Sequence, residues 1–288
     1  MNNPDLKSKK SVFLSILLGA LIFSGCANDD YAIEKKYWQI KKQASNIVGN
    51  PHATPPNELE RVVGALNQFS AQHPKSNLGL DADFSIANLY ILKGEYNPGR
   101  QQLNKLIQKY EKSPELAAQA TFLLGNSYEL EEKWLSALEQ YKKIMRDYPE
   151  TIKGLEMPVY IAQHYKIKYE PDKMMAAYQE AINYYKAISA KHPVTPLSYN
   201  LDLLVAQCYG EMKEWTQAVN TLNAIMVTYN GKVRFEDVLL TLAGIYAQKL
   251  NNPAKAVEIL NVLIKEYPKS KYAKTAKDII KRLSEKQK

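Results

Sequence analysis

Residues 125–149 read GNSYELEEKWLSALEQYKKIMRDYP. A small residue, Gly125, is followed three residues later by Tyr128; a second small residue, Ala137, precedes Tyr141, and Pro149 closes the unit. Working outward, the first small station recurs at Ala87, Gly125, Ala162, Ala206 and Ala243, each with a tyrosine three residues on (Tyr90, Tyr128, Tyr165, Tyr209 and Tyr246). The spacings are 38, 37, 44 and 37 residues. A second small series runs through Gly99, Ala137, Ala181, Ala218 and Ala256. Units close near Pro74, Glu111, Pro149, Pro193, Asn230 and Pro268, each preceded by an aromatic residue or histidine. A fixed period of this length marks stacked supersecondary units.

The physical reading is all-α. Two antiparallel helices approach closely only where both side chains are small, so the two small series are expected at a helix crossing, one on each helix. The tyrosine three residues on shares its station's helical face and fills the gap toward the next unit. Proline ends the second helix because it cannot continue one.

The pattern resembles the tetratricopeptide repeat (TPR), best at Gly125, Tyr128, Ala137, Tyr141 and Pro149. The resemblance covers roughly residues 57–288, with a period longer than the usual 34, and Trp134 and Trp215 opening second helices. It implies a right-handed superhelical solenoid of antiparallel helix pairs. Five repeats plus a capping helix occupy residues 77–288, and a divergent helix pair occupies 32–76. In the last helix Tyr272, Ala273, Ala276, Ile279, Ile280 and Leu283 share one face and lysines fill the other, the pattern of a solenoid cap. In the third repeat Tyr165 and Ala181 are 16 residues apart. Two helices each longer by one turn are expected there, with Pro171 opening the second.

The N-terminal segment carries Lys7, Lys9 and Lys10, then the uncharged run SVFLSILLGALIF at 11–23. This is the layout of a secretory signal. The apolar stretch, about 17 residues, is shorter than the roughly 20 a membrane span needs. Ser24-Gly25-Cys26 resembles a bacterial lipobox, with Phe23 where leucine is usual. The resemblance implies cleavage of residues 1–25, lipidation of Cys26 and a short tether at 26–31. By the sorting rule of enteric-type bacteria, Ala27 then directs the protein to the periplasmic face of the outer membrane.

Composition is that of folded protein, 45% apolar and 24% charged. The net charge of +8 is concentrated: residues 269–288 hold seven lysines and one arginine against Asp278 and Glu285. The basicity belongs to one terminal helix, and no nucleic-acid partner is expected. Lys271, Lys274, Lys277, Lys281 and Arg282 are expected on that helix's outer face, a surface suited to an acidic partner. With Cys26 lipidated, Cys208 is left as a buried small residue.

Nothing in the sequence reads as enzymatic. Phosphate-loop, nucleophile-elbow and zinc-protease motifs are absent, so no catalytic residue, metal or cofactor is expected. His52, His73, His164 and His192 read as turn or surface residues. The candidate site is a peptide-binding groove. The residue after each small station gives Asn88, Asn126, Gln163 and Gln207, amides that can read an extended peptide's backbone because each both donates and accepts. One turn earlier stand Phe84, Phe122, Val159 and Leu203 as apolar pockets. No basic residue occupies the amide stations, so capture of a terminal carboxylate is not expected there.

The closing tags Tyr148-Pro149-Glu150-Thr151 and Tyr267-Pro268-Lys269-Ser270 resemble those of envelope TPR lipoproteins. The relatives implied are the TPR lipoprotein of the β-barrel assembly machine and the TPR part of the Tol–Pal accessory protein. The expected function is a non-enzymatic, lipid-anchored scaffold for envelope proteins or extended peptide segments, serving β-barrel assembly. The alternative is an accessory protein of peptidoglycan or Tol–Pal-linked envelope remodelling.

Overall fold

The computed structural model describes residues 28–51 and 53–285. Their thirteen helices are α1 (Asn28–Gly49), α2 (Pro56–Gln72), α3 (Asn77–Lys93), α4 (Tyr96–Lys109), α5 (Pro114–Leu130), α6 (Trp134–Asp147), α7 (Ile152–Ile167), α8 (Pro171–Ser189), α9 (Pro196–Glu211), α10 (Trp215–Thr228), α11 (Glu236–Gln248), α12 (Pro253–Glu266) and α13 (Tyr272–Glu285). No strand occurs among the described residues. The fold is all-α, built from helix pairs. The described residues divide between Lys93 and Gly94 into two units.

In the first unit α1 packs on both α2 and α3. Its Tyr37, Ile40, Ala44 and Ile47, spaced three or four apart, meet Leu59, Val62, Leu66 and Phe69 of α2 and Ala82, Ile86 and Leu89 of α3. Lys41 Nζ lies 2.9 Å from the Asp81 carboxylate, which also accepts the Tyr37 hydroxyl. Burial holds the Lys41 ammonium below its ordinary pKa and the Asp81 carboxyl above its own. Residues 28–31, expected as tether, are helical. From Asn28 to Val48 there is no glycine or proline to interrupt α1, and it runs on to Gly49. Cys26 and residues 1–25 lie outside the described residues.

The second unit is a succession of helix hairpins with two cores, one spanning Ala118 to Cys208 and the other Ala206 to Ala276. Helix starts follow from local chemistry. Proline opens α5, α8, α9 and α12, where its missing N–H has no helical partner to lose. Thr151 caps α7 through the Gly154 N–H, and Thr195 with Ser198 forms a capping box on α9. Cys208 is fully buried, its thiol pushed up to about 12 by burial. In α13, Ala273 and Ala276 are buried, Ile279, Ile280 and Leu283 half-buried, and Lys271, Lys274, Lys277, Lys281 and Arg282 exposed, as the amphipathic pattern requires.

The turn inside each repeat carries one left-handed residue: Gly94 in the first, then Glu132, Tyr169, Lys213 and Asn251. The next N–H reaches back five or six residues to a station tyrosine: Lys133 N–H to Tyr128 O (2.9 Å), Glu170 to Tyr165 (3.0 Å), Glu214 to Tyr209 (2.9 Å) and Asn252 to Tyr246 (2.8 Å). These bonds satisfy helix-end carbonyls as in a Schellman turn. A left-handed residue with a Cβ costs roughly 1–2 kcal/mol, partly offset because glycine has more unfolded-state freedom to lose. Lys213, exposed at φ 63°, is the simplest place to recover that cost. Lys213→Gly is expected to raise the chemical-denaturation midpoint, by a net stabilisation of about 0.5–1 kcal/mol. An unchanged or lowered midpoint would show that the Lys213 side chain contributes more than its backbone costs.

The third repeat departs from the expected even lengthening. Its first helix, α7, has 16 residues, no more than the 17 of α5 or the 16 of α9. Its second, α8, has 19, against 14 in α4, α6, α10 and α12. Pro171 does open α8. The turn geometry at Tyr165–Glu170 matches that at Tyr128–Lys133, so α7 stops where its station dictates and the second helix takes up the extra length. Tyr184 and Tyr185 hold it in place: the Tyr184 hydroxyl lies 3.0–3.3 Å from the carbonyls of Met145, Pro149 and Gly154, and that of Tyr185 donates to Leu155 O at 2.8 Å.

Candidate interaction face

The four amide stations separate into two kinds. In the second unit Gln163 on α7 and Gln207 on α9 are exposed, each one turn beyond a half-buried apolar residue, Val159 and Leu203. Asn126 on α5 is 7% exposed, with Phe122 half-buried before it. In the first unit Phe84 is 7% exposed and Asn88 half-buried. Asn126 therefore corrects the expectation of an amide open to a ligand. Helix α5 is contacted by α4, α6 and α7, and residues 123–127 are all buried. Arg100 adds to this enclosure by donating to the Ser127 hydroxyl and carbonyl, both at 2.9 Å, and pairing with Glu131. That guanidinium holds the Glu131 carboxyl below the usual carboxylate range and lies 3.8 Å over the Tyr128 ring.

Beside Gln163 the structure assembles a constellation that sequence spacing did not single out. The Glu129 carboxylate at the end of α5 accepts the hydroxyls of Tyr141 (α6) and Tyr160 (α7), each at 2.6 Å. His164 Nδ1 lies 3.3 Å from its other oxygen. The His164 ring stacks flat on Trp134, interplanar angle 3°, and Trp134 Nε1–H donates to the Tyr165 hydroxyl at 3.4 Å. Phe122 and Tyr160 pack around Tyr141, at centroid distances of 5.9 and 5.2 Å. Burial, reinforced by Glu129, raises the Tyr141 and Tyr160 hydroxyls above the ordinary tyrosine pKa. Burial lowers the His164 pKa against the opposing pull of Glu129.

His164 is thus not a surface histidine: its side chain is 14% exposed and wedged between Trp134 and Glu129. His192 sits 3.1 Å from Glu150 at the turn before α9, and the His73 ring packs at a tilt against Phe69, centroids 4.6 Å apart. His52 lies outside the described residues. Among the described residues no group of histidine, cysteine and acidic side chains could hold a metal ion, and no helix is long and apolar enough to cross a membrane.

Comparison with known proteins finds a repeat match in three of the five periodic units. The family model for the tetratricopeptide repeat matches residues 81–113, 119–151 and 237–270, the first, second and fifth of the five periodic units. The two unmatched units are the one with the long α8 and its successor. None of the curated proteins matches. Among solved structures, the apo form of RapI is 14% identical with TM-score 0.45, covering 96% of this chain and 79% of that one. YrrB, described as a TPR protein with an unusual peptide-binding site, is 18% identical with TM-score 0.37, covering 75% and 99%. A TPR protein from Parabacteroides merdae is 13% identical with TM-score 0.34, covering 87% and 99%.

Proposed function

We propose that this protein is a non-catalytic scaffold of the cell envelope. It is anchored by lipid at Cys26 on the periplasmic face of the outer membrane and holds extended segments of partner proteins during β-barrel assembly. One observation carries the binding half of this reading. On α7 and α9 the same helical face presents an exposed amide, Gln163 and Gln207, one turn from a half-buried apolar residue, Val159 and Leu203. An extended chain satisfies such a face by lending backbone groups to the amides and side chains to the apolar positions. The envelope half rests on the lipobox and on the closing tags at Tyr148–Thr151 and Tyr267–Ser270.

Photo-crosslinking from positions 163 and 207 in cells tests both halves. Outer-membrane assembly proteins are the expected captures; cell-wall synthases or Tol–Pal proteins would replace this reading with envelope remodelling. The companion variant is Gln163→Ala with Gln207→Ala. It leaves Asn126 untouched because that side chain is buried. Two net hydrogen bonds at about 0.5–1.5 kcal/mol each imply a loss of partner affinity of roughly fivefold or more, with an unchanged melting temperature. Normal binding by the double variant would place recognition on another face.

A further inference from the structure

We infer that the junction of α5, α6 and α7 is a receptor for an arginine side chain of a partner segment. Glu129 would be its counter-charge, and the rings of Trp134 and Tyr160 its walls. The inference rests on the scaffold reading above and adds the chemistry of one residue in the bound segment.

The argument begins with an unbalanced charge. A carboxylate has about four acceptor positions, and Glu129 fills three, with two tyrosine hydroxyls and His164 Nδ1. The hydroxyls are neutral, and burial of His164 disfavours its charged form. Lys153 lies 4.4 Å over the Phe122 ring and pairs with Glu156 at 2.7 Å, Lys166 pairs with Glu211 at 2.6 Å, and Arg100 pairs with Glu131, so none of the three is paired with Glu129. A carboxylate held in a ring of aromatic groups without a full cation is costly, and the Glu129 side chain remains 20% exposed. It is open to a charge supplied from outside.

The walls select the kind of cation. Guanidinium is planar, weakly hydrated and stacks on aromatic faces, whereas ammonium is a compact, strongly hydrated point charge. Trp134 and Tyr160 are only half-buried, while the Phe122 ring already carries Lys153. The molecule already contains the same combination in closed form, where Arg100 stacks over Tyr128 and pairs with Glu131. At Glu129 the carboxylate and rings are present and the guanidinium is left to the partner. Gln163, exposed and one residue before His164, stands ready for the backbone on either side of that arginine.

The test uses the full chain and a blocked pentapeptide, Ser-Gly-Arg-Gly-Ser, beside its citrulline analogue, which keeps the planar shape without the charge. Binding is read from the indole N–H signal of Trp134 in two-dimensional NMR. The arginine peptide is expected to shift that signal to saturation and to bind at least tenfold more tightly than the citrulline peptide. The advantage should shrink as salt rises. Glu129→Gln, which retains an acceptor for the tyrosine hydroxyls, should reduce the arginine peptide to the citrulline level. Equal binding of the two peptides, no shift with either, or arginine binding unaffected in a folded Glu129→Gln protein would each overturn the inference. If that variant does not fold, the two peptides on the unaltered protein decide the matter. Crosslinking at 163 and 207 without an arginine preference would remove the Glu129 receptor while leaving the scaffold in place.

Discussion

Gly125→Leu is expected to unfold the second repeat and abolish every binding activity that depends on it. A Cβ at position 125 would lie 2.5 Å from Tyr141 Cε1 and 2.9 Å from Cδ1. The ring cannot retreat: Tyr141 is 0% exposed, packs against Phe122, Trp134 and Tyr160, and is tied through its hydroxyl to Glu129. Overpacking costs about 1–3 kcal/mol for modest insertions, while replacing a helical glycine by alanine returns about 1 kcal/mol of propensity. Gly125→Ala should therefore be mildly destabilising, and leucine, with three further carbons in the same place, should lose more than about 3 kcal/mol. That is a large part of the 5–15 kcal/mol typical of folded domains. Gly64 on α2 is the control, because nothing lies within 4 Å of a Cβ built there. Gly64→Ala should raise the melting temperature and Gly125→Ala lower it, followed by circular dichroism. A Gly125→Leu protein melting within about two degrees of the parent, a shift of about 1 kcal/mol at most, would show that the crossing is looser than its geometry.

The same crossing shows what the sequence could and could not disclose. The small station at Gly125 and the aromatic at Tyr141 were readable because a close helix approach imposes a fixed spacing, and the helix pairs followed. Which group fills the gap was not readable: the three atoms nearest a Cβ at 125 all belong to the Tyr141 ring, not to the small Ala137. The extra length of the third repeat was visible as a 44-residue interval, but its placement depends on the turn after Tyr165. That turn closes in register with the others through a left-handed residue, so α8 alone grew. The Glu129 constellation left no periodic trace. The Glu129 partners come from two other helices, at sequence separations of 12, 31 and 35, none of them a repeat interval. Asn126 failed as a groove residue for a related reason: position in the repeat fixes the direction of a side chain, not how many neighbouring helices cover it.

Cys26→Ser is expected to abolish acylation and move the protein from the membrane fraction to the soluble fraction. The lipobox reading gives Cys26 a diacylglyceryl group and, on the freed amino group, a further acyl chain. At about 0.8 kcal/mol per buried methylene, one chain holds marginally and two or three hold firmly, so removing the attachment point removes the anchor as a whole. Helix α1 begins at Asn28, only two residues beyond Cys26, and its outer face carries Tyr31 and Trp38, 69% and 58% exposed. Seven residues apart, they lie two turns from each other on one side of the helix, and aromatic side chains of this kind favour the headgroup region. On the lipid-anchor reading they are expected to add a second, weaker contact with the bilayer. Tyr31→Ser with Trp38→Ser should consequently leave the acylated protein membrane-bound. In the Cys26→Ser background the same pair should remove whatever salt-resistant association with vesicles remains. Intact-mass measurement decides the premise: a parent protein bearing an unmodified thiol at Cys26, or still carrying residues 1–25, would refute lipid anchoring and with it the assignment to the outer membrane.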